Sequence, residues 1–290
     1  MKKIIIFGGA FFLCGTILFV VAVFWISGKP AEPSPAVIGL PPADFPAHDV
    51  SFHSDSGTII SGWFVPGNIT DAAIVLMHGN GGNRLRMLNR ARFLNDAGYP
   101  LLLFDFQAHG ESVGRHKTFG YLEKFDAQAA VKFIRDHTGA VKIGVIGTSL
   151  GGASTLLSGH DMNIDAAVLE AVYPTIEEAI QNRLRINLGA IGPYLSKIHL
   201  LQMKPRLGFH PDDLRPVDYI GATTYPVFII AGTDDQRTTI EESRALFSRA
   251  RQPKELWAIE GAAHEDFYTF RQKEYERRVL DFFACYLLQE

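Results

Sequence analysis

Short, almost unbroken apolar runs recur along the chain: Ala73 to Met77, Pro100 to Phe104, Val141 to Ile146, Ala166 to Leu169 and Val227 to Ile230. Strands shielded on both faces by helices read this way, because neither face meets water. Helical patterns separate them: Arg84 to Ala97, closed by Gly98; Gly120 to His137, closed by Gly139; and Ile240 to Ala250. Glu265 to Leu288 is expected to be the closing helix. Upstream, Asp49 to Phe52 and Thr58 to Val65 flank the turn residues Asp55-Ser56-Gly57 and read as an opening hairpin. Strand–helix alternation of this kind calls for an α/β fold, a mostly parallel sheet with helices on both faces. A site on such a sheet forms at the carboxyl ends of its strands.

Of the 290 residues, 47% are hydrophobic and 20% charged, enough for a large core and unlike a disordered chain. No repeat or second linker interrupts the pattern, so one domain is expected from about Ala47 to the C-terminus (47–290). The formal net charge of −3 and the lack of a basic run argue against nucleic acid as a partner. The only cysteines, Cys14 and Cys285, cannot make a disulfide framework. Neither H-E-x-x-H nor C-x-x-C is present, and no metal or organic cofactor is expected.

Residues 1–27 differ in kind. Met1-Lys2-Lys3 precedes Ile4 to Ile26, a run without a charge. As a helix rising about 1.5 Å per residue it is long enough to cross a hydrocarbon core of about 30 Å. A cleaved signal peptide usually has a shorter apolar region and a small-x-small site. Here Trp25 ends the run at an interfacial position and prolines follow at once. Phe11-Phe12-Leu13 before Cys14 lacks the small residue that precedes a lipid-modified cysteine. The expectation is an uncleaved, single-pass signal anchor. Lys2 and Lys3 outweigh Lys29, which puts the N-terminus in the cytoplasm and the globular domain on the periplasmic or extracellular side. Residues 28–46, rich in Pro and Ala, read as a semi-extended spacer.

Gly147-Thr148-Ser149-Leu150-Gly151 follows a buried strand and opens a helix. A sharp strand-to-helix turn forces its central serine into a strained backbone conformation and crowds the neighbours two residues away, which must then be glycine. The turn lifts the hydroxyl to the helix N-terminus, where N–H groups stabilise negative charge. The plain alternative is a Gly-rich turn with a capping serine. A serine nucleophile needs a base. His264 follows the last apolar segment, Leu256 to Ile259, behind the small residues Gly261-Ala262-Ala263. The base needs an acid to fix its tautomer, and Asp235 follows the strand Val227 to Ile230, with Asp234 as its rival. Each of these residues alone is also compatible with an ordinary loop or cap.

His78-Gly79-Asn80-Gly81-Gly82-Asn83 follows another strand. Its glycines allow backbone N–H groups to approach a ligand, and the oxyanion donors are assigned to the N–H groups of Asn80 and Leu150. Phosphate binding is the other use of such a loop, but the Lys-Ser/Thr ending of a P-loop is missing. His78 is read as structural.

Taken in the order Ser, Asp, His, these motifs resemble the α/β-hydrolase superfamily from about residue 48 onward. The His78–Asn83 run is similar to the H-G-N-x-G-N loop of a serine-hydrolase subgroup with membrane-associated members, some of which cleave thioester-linked acyl chains. Phe104 to Ser112 resembles the family's D-x-R-G-x-G-x-S loop, with Gln107 in place of arginine and Ala108 in place of glycine. The resemblance implies a mostly parallel eight-stranded sheet, a small helical lid at about 173–224, and hydrolysis of a carboxylic ester or thioester through an acyl-enzyme on Ser149. The substrate class is then a small-molecule or lipid-like acyl compound. The lid's apolar residues Leu188, Ile191, Tyr194, Leu195, Ile198, Leu200, Leu201 and Met203 either line an acyl pocket or pack on the domain beneath. A serine peptidase on the same fold and a catalytically silent, membrane-tethered binding module are the alternatives.

Overall fold

The computed structural model describes residues 29–264 and 266–289. Its frame is an eight-stranded sheet built from β1 (His48–His53), β2 (Ile59–Val65), β3 (Ala72–Met77), β4 (Leu101–Phe104), β5 (Lys142–Thr148), β6 (Ala166–Glu170), β7 (Val227–Gly232) and β8 (Lys254–Ile259). The order across the sheet is β8-β7-β6-β5-β3-β4-β2-β1. β1 and β2 form the expected antiparallel hairpin, with Phe52 opposite Ile60. β2 runs antiparallel to β4, and every other pairing is parallel. The central strands β3, β4, β6 and β7 are buried at every position, whereas the edge strands β1 and β8 alternate with solvent.

The two-residue period of a strand divides this apolar sequence between two cores. Ala73, Val75 and Met77 of β3 face one side, with α2 (Glu123–Thr138), α3 (Leu150–Leu157) and α6 (Ile240–Arg249). Ala72, Ile74 and Leu76 face the other, with α1 (Leu88–Asp96) and the C-terminal α7 (Gln272–Leu287). The helix expected from Glu265 is broken: a short turn at Phe267–Phe270 precedes α7, with Arg271 between them in a non-helical conformation. Likewise the first turn after Asn83 is a 3₁₀ helix, Arg84–Met87, because the Asn83 side chain caps Leu85 N–H at 3.1 Å and Asp105 holds Arg84.

Between β6 and β7 the chain builds α4 (Ile176–Leu188) and α5 (Gly192–Leu207), a helical pair over the carboxyl end of the sheet. The sequence was ambiguous about which apolar residues of this segment line a pocket. Met203 is buried, while Leu188, Ile191, Tyr194 and Leu201 point to solvent.

The expected anchor, residues 1–27, lies outside the described residues, and among the described residues no helix is long and apolar enough to cross a membrane. The stretch read as a semi-extended spacer is tied down at several points. Ser34–Pro35 pairs in parallel with His109–Gly110, Lys117 N–H donates to Ala31 O at 2.9 Å, and Ala31 and Phe45 are buried. Its composition suited an extended chain, and backbone hydrogen bonds to a neighbouring loop exploit that extension.

Candidate active site

β3 and β5 lie side by side and parallel, yet α1 leaves to one face of the sheet and α3 to the other. A crevice opens where such connections diverge. The loops after β3, β5, β6, β7 and β8 all supply residues to it, among them Gly79, Asn80, Ser149, Arg237 and His264.

Ser149 sits at φ 50°, ψ −102°, a strained conformation for a residue with a side chain. Its N–H donates to Glu170 O at 2.7 Å, and its carbonyl accepts the N–H of Ala153 at 2.9 Å as α3 begins. The flanking glycines are required sterically. A Cβ on Gly147 would stand 2.5 Å from the nitrogen of Gly152, and one on Gly151 would stand 2.4 Å from Met77 O.

His264 Nδ1 lies 2.7 Å from Asp235 Oδ2. The other oxygen, Oδ1, accepts the N–H groups of Arg237 (2.7 Å) and Thr238 (2.9 Å). With both carboxylate oxygens engaged as acceptors, the ring proton belongs on Nδ1 and Nε2 keeps its lone pair. Asp234, the rival acid, is exposed and accepts from its neighbour Thr233 Oγ1 at 3.2 Å. The loops that carry Asp235 and His264 interlock: Asp234 N–H donates to Ala262 O at 2.9 Å and Gly261 N–H to Thr233 Oγ1 at 2.9 Å.

The Gly79–Asn80 turn passes beside Ser149, so that a Cβ on Gly79 would be 3.6 Å from Ser149 Cβ. His78 is wholly buried; its Nδ1–H donates to Gly79 O (2.8 Å) and its Nε2 accepts the N–H of Phe106 (3.1 Å). Burial, aided by His109 nearby, pulls its pKa down to about 3, so it is a neutral strut. Burial also lowers His109, whose Nδ1–H donates to Gln107 O at 2.9 Å and whose Nε2 is 3.3 Å from the Asn80 side-chain amide. The two departures from the family's loop have visible consequences. Ala108 adopts φ 58°, the conformation glycine would take without strain. Gln107 donates to Glu123 Oε1 at 2.8 Å and to His116 O at 2.7 Å.

Ser149, Asn80 and Arg183 also border a second, largely apolar cavity of about 260 Å³ beneath the helical pair, walled by Phe119, Ile176, Ile180, Leu184, Met203 and Leu207. Pro30 and Ala31 close one side of it.

The family model described as serine aminopeptidase, S33, matches residues 68–210. An esterase of Pyrococcus furiosus superposes with a TM-score of 0.72 at 26% identity, over 89% of this chain and 98% of that one. An esterase of Exiguobacterium antarcticum shares the fold at 16% identity, with a TM-score of 0.60 over 81% of this chain and 99% of that one. The chain has the α/β-hydrolase fold. Among curated proteins, it is 27% identical to the uncharacterized protein YqkD of Bacillus subtilis, over 78% of this chain and 75% of the relative. It is 28% identical to the uncharacterized protein YfhR of Salmonella typhimurium, over 82% and 81%.

Sequence reading missed the charged residues that underlie the α/β-hydrolase site. Arg90, on the buried face of α1, pairs with Glu170 at the end of β6, and also with Asp266 beyond His264. A carboxylate ending an otherwise apolar strand was the available signal for Glu170. Arg90 had none, because an isolated arginine in a helix usually faces water. Also missed was the pair Arg183 and Arg237, which border the cleft from α4 and from the loop after β7.

Proposed function

We propose that this protein is a membrane-anchored serine hydrolase that cleaves carboxylic ester or thioester bonds through an acyl-enzyme on Ser149. The observation that carries this reading is the 2.7 Å contact of His264 with Asp235 in the cleft that also holds a strained Ser149. His264 Nε2 takes the Ser149 hydroxyl proton as Oγ attacks the acyl carbonyl, and the N–H groups of Asn80 and Leu150 hold the oxyanion. Collapse breaks the bond to the leaving oxygen or sulfur, which receives the proton from His264. Water then attacks the acyl-enzyme with His264 again as base, releasing the acid and restoring the serine.

An apolar cavity opening on the nucleophile suits an acyl chain. Capture of a peptide's protonated N-terminus would need carboxylates. Among the described residues lining the catalytic cleft the carboxylate is Asp266, already paired with Arg90. The anchor is proposed from the uncharged run Ile4 to Ile26. Pro30 and Ala31, which follow that run closely, border the acyl cavity, so a chain leaving a bilayer there would bring the cavity near the membrane face. The catalytic domain would then be periplasmic or extracellular.

The test is activity-based labelling of the full chain with a fluorophosphonate, alongside turnover of 4-nitrophenyl hexanoate and of an S-hexanoyl thioester. Covalent labelling and turnover are expected for the wild type and neither for Ser149→Ala. Equal labelling of both proteins would end the assignment. For the anchor, the full chain should pellet with membranes, and a mature chain beginning after residue 30 would refute it.

A further inference from the structure

Ser149 stands where two compartments of opposite character meet. On one side is the apolar cavity under the helical pair; on the other is the polar cleft that contains His264. In serine acyl transfer the base returns its proton to the leaving group, so the leaving group must occupy the side where the imidazole stands. The acyl chain is thereby assigned to the apolar cavity, and whatever surrounds His264 selects the alcohol or thiol half of the substrate.

That surrounding is cationic. Arg183 from α4, Arg237 from the loop after β7 and Arg86 from the turn after the Gly79–Gly82 loop all border it. None of the three guanidinium groups makes an ion pair or hydrogen bond among the described residues, although the fourth arginine of the cleft, Arg90, does, with Glu170. Arg183 is partly buried, and burial together with the positive charge of Arg237 pulls its pKa down; Asp235, committed to His264, offsets only part of this. Holding an arginine out of water beside another cation is unfavourable unless an anion completes the group. The backbone makes the juxtaposition firm. Asn182 Nδ2 donates to Arg237 O at 3.3 Å and to Glu242 Oε1 at 2.6 Å, and Arg237 N–H donates to Asp235 Oδ1 at 2.7 Å. Overall the chain carries a net charge of −3, so the cluster is not the background of a basic protein.

We infer that the physiological substrate is an acyl ester or thioester whose leaving group bears an anion, and that Arg183 and Arg237 are the residues that recognise it. Arg86 stands at the rim, where it would steer an anionic substrate inward. The inference rests on the acyl-hydrolase reading above and specifies the half of the substrate which that reading leaves open.

Two chromogenic esters test it on the full chain: hexanoyl 4-nitrophenol, and the hexanoyl ester of 5-hydroxy-2-nitrobenzoic acid, which adds a carboxylate to the same leaving group. The readout is the ratio of kcat/KM for the anionic ester to that for the neutral one. The ratio should exceed one, fall with added salt, and drop on the order of 10-fold in Arg183→Gln and again in Arg237→Gln. Taking a ratio cancels any shared loss of folded enzyme. Arg249→Gln, which removes an exposed arginine paired with Asp218, should leave the ratio where it was. Turnover of both esters with a ratio that ignores Arg183, Arg237 and salt would overturn the inference and leave the hydrolase standing. Turnover of neither ester would overturn the hydrolase reading itself, and this inference with it.

Discussion

Arg90 and Glu170 meet as a two-pronged ion pair beneath the Ser149 turn, with Nε 2.9 Å from Oε1 and Nη2 2.6 Å from Oε2. Their side chains are 3% and 1% exposed. Around the pair, Thr148 Oγ1 donates to Glu170 Oε2 at 3.0 Å, Tyr275 Oη contacts both charged groups, and Glu170 O accepts the Ser149 N–H at 2.7 Å. Arg90 reaches on to Asp266 at 2.8 Å, two residues past His264. One buried pair therefore links the Ser149 turn to the segment that carries His264.

Breaking that pair from one side leaves a charge sealed in the core. Glu170→Gln should destabilise the protein by about 3 kcal/mol, because Arg90 loses its buried counter-charge and keeps only the partly exposed Asp266. Removing both charges, as in Arg90→Met with Glu170→Gln, should cost much less than the sum of the single changes. Urea denaturation of the four proteins of the cycle measures the coupling. Strict additivity would mean the two groups act independently.

Asp235 and Asp234 are neighbours in sequence and opposites in role. An amide at 235 must present its NH₂ to Nδ1 or lose the contact, which moves the ring proton to Nε2 and removes the base. Asp235→Asn should therefore lower kcat by roughly 10⁴. Asp234→Asn, altering an exposed side chain bonded only to Thr233, should stay within about 0.5 kcal/mol in stability and near wild type in kcat. Steady-state ester hydrolysis distinguishes the two, and a larger loss at 234 would reverse the assignment.

The strands were legible because burial on both faces leaves a run of apolar residues that few other elements produce, as at Ala72–Met77 and Val227–Gly232. The candidate site was legible where geometry demands a residue type. Only glycine fits at 147 and 151, and those two positions mark Ser149 without any structure. What stayed hidden depends on tertiary distance alone. Nothing local says that Arg90 meets Glu170 across 80 positions, or that Arg183 lies near Arg237. The contacts of residues 29–46 stayed hidden for a related reason. Pro and Ala describe an extended backbone equally well whether it is solvated or hydrogen-bonded to a neighbour, as Ser34 N–H is to Ala108 O at 2.8 Å.

The turn at Ser149 has no room for a side chain at its second glycine. In Gly151→Ala the new methyl would stand 2.4 Å from Met77 O and 2.7 Å from Met77 Cβ, so β3 or the turn must shift. Loss of fluorophosphonate labelling is expected, with a lower Tm. Gly139→Ala is the contrasting change: its φ of 73° is strained for alanine, but a Cβ there meets nothing within 4 Å. It should cost only about 1 kcal/mol and leave labelling intact. Labelling of Gly151→Ala at the wild-type rate would show that the turn is not under this steric control.

Asp126 connects the family-like loop to pH. Buried on α2, its Oδ1 accepts Ser54 Oγ at 2.6 Å and its Oδ2 accepts the Gln107 N–H at 2.9 Å. Burial dominates these contacts, and Glu123 adds like charge, so its pKa rises to about 7 from 3.8. A raised acid binds a proton in the folded state that the unfolded chain has already released. Its contribution to stability is therefore greatest below the unfolded pKa, falls as pH climbs from about 4 to about 7, and is level above that. Asparagine at 126 has no proton to lose. The Tm of Asp126→Asn minus that of the wild type should increase steadily between pH 4.5 and 7 and then flatten, since the other titrating groups are common to both proteins. A difference constant over that window would place the Asp126 pKa outside it.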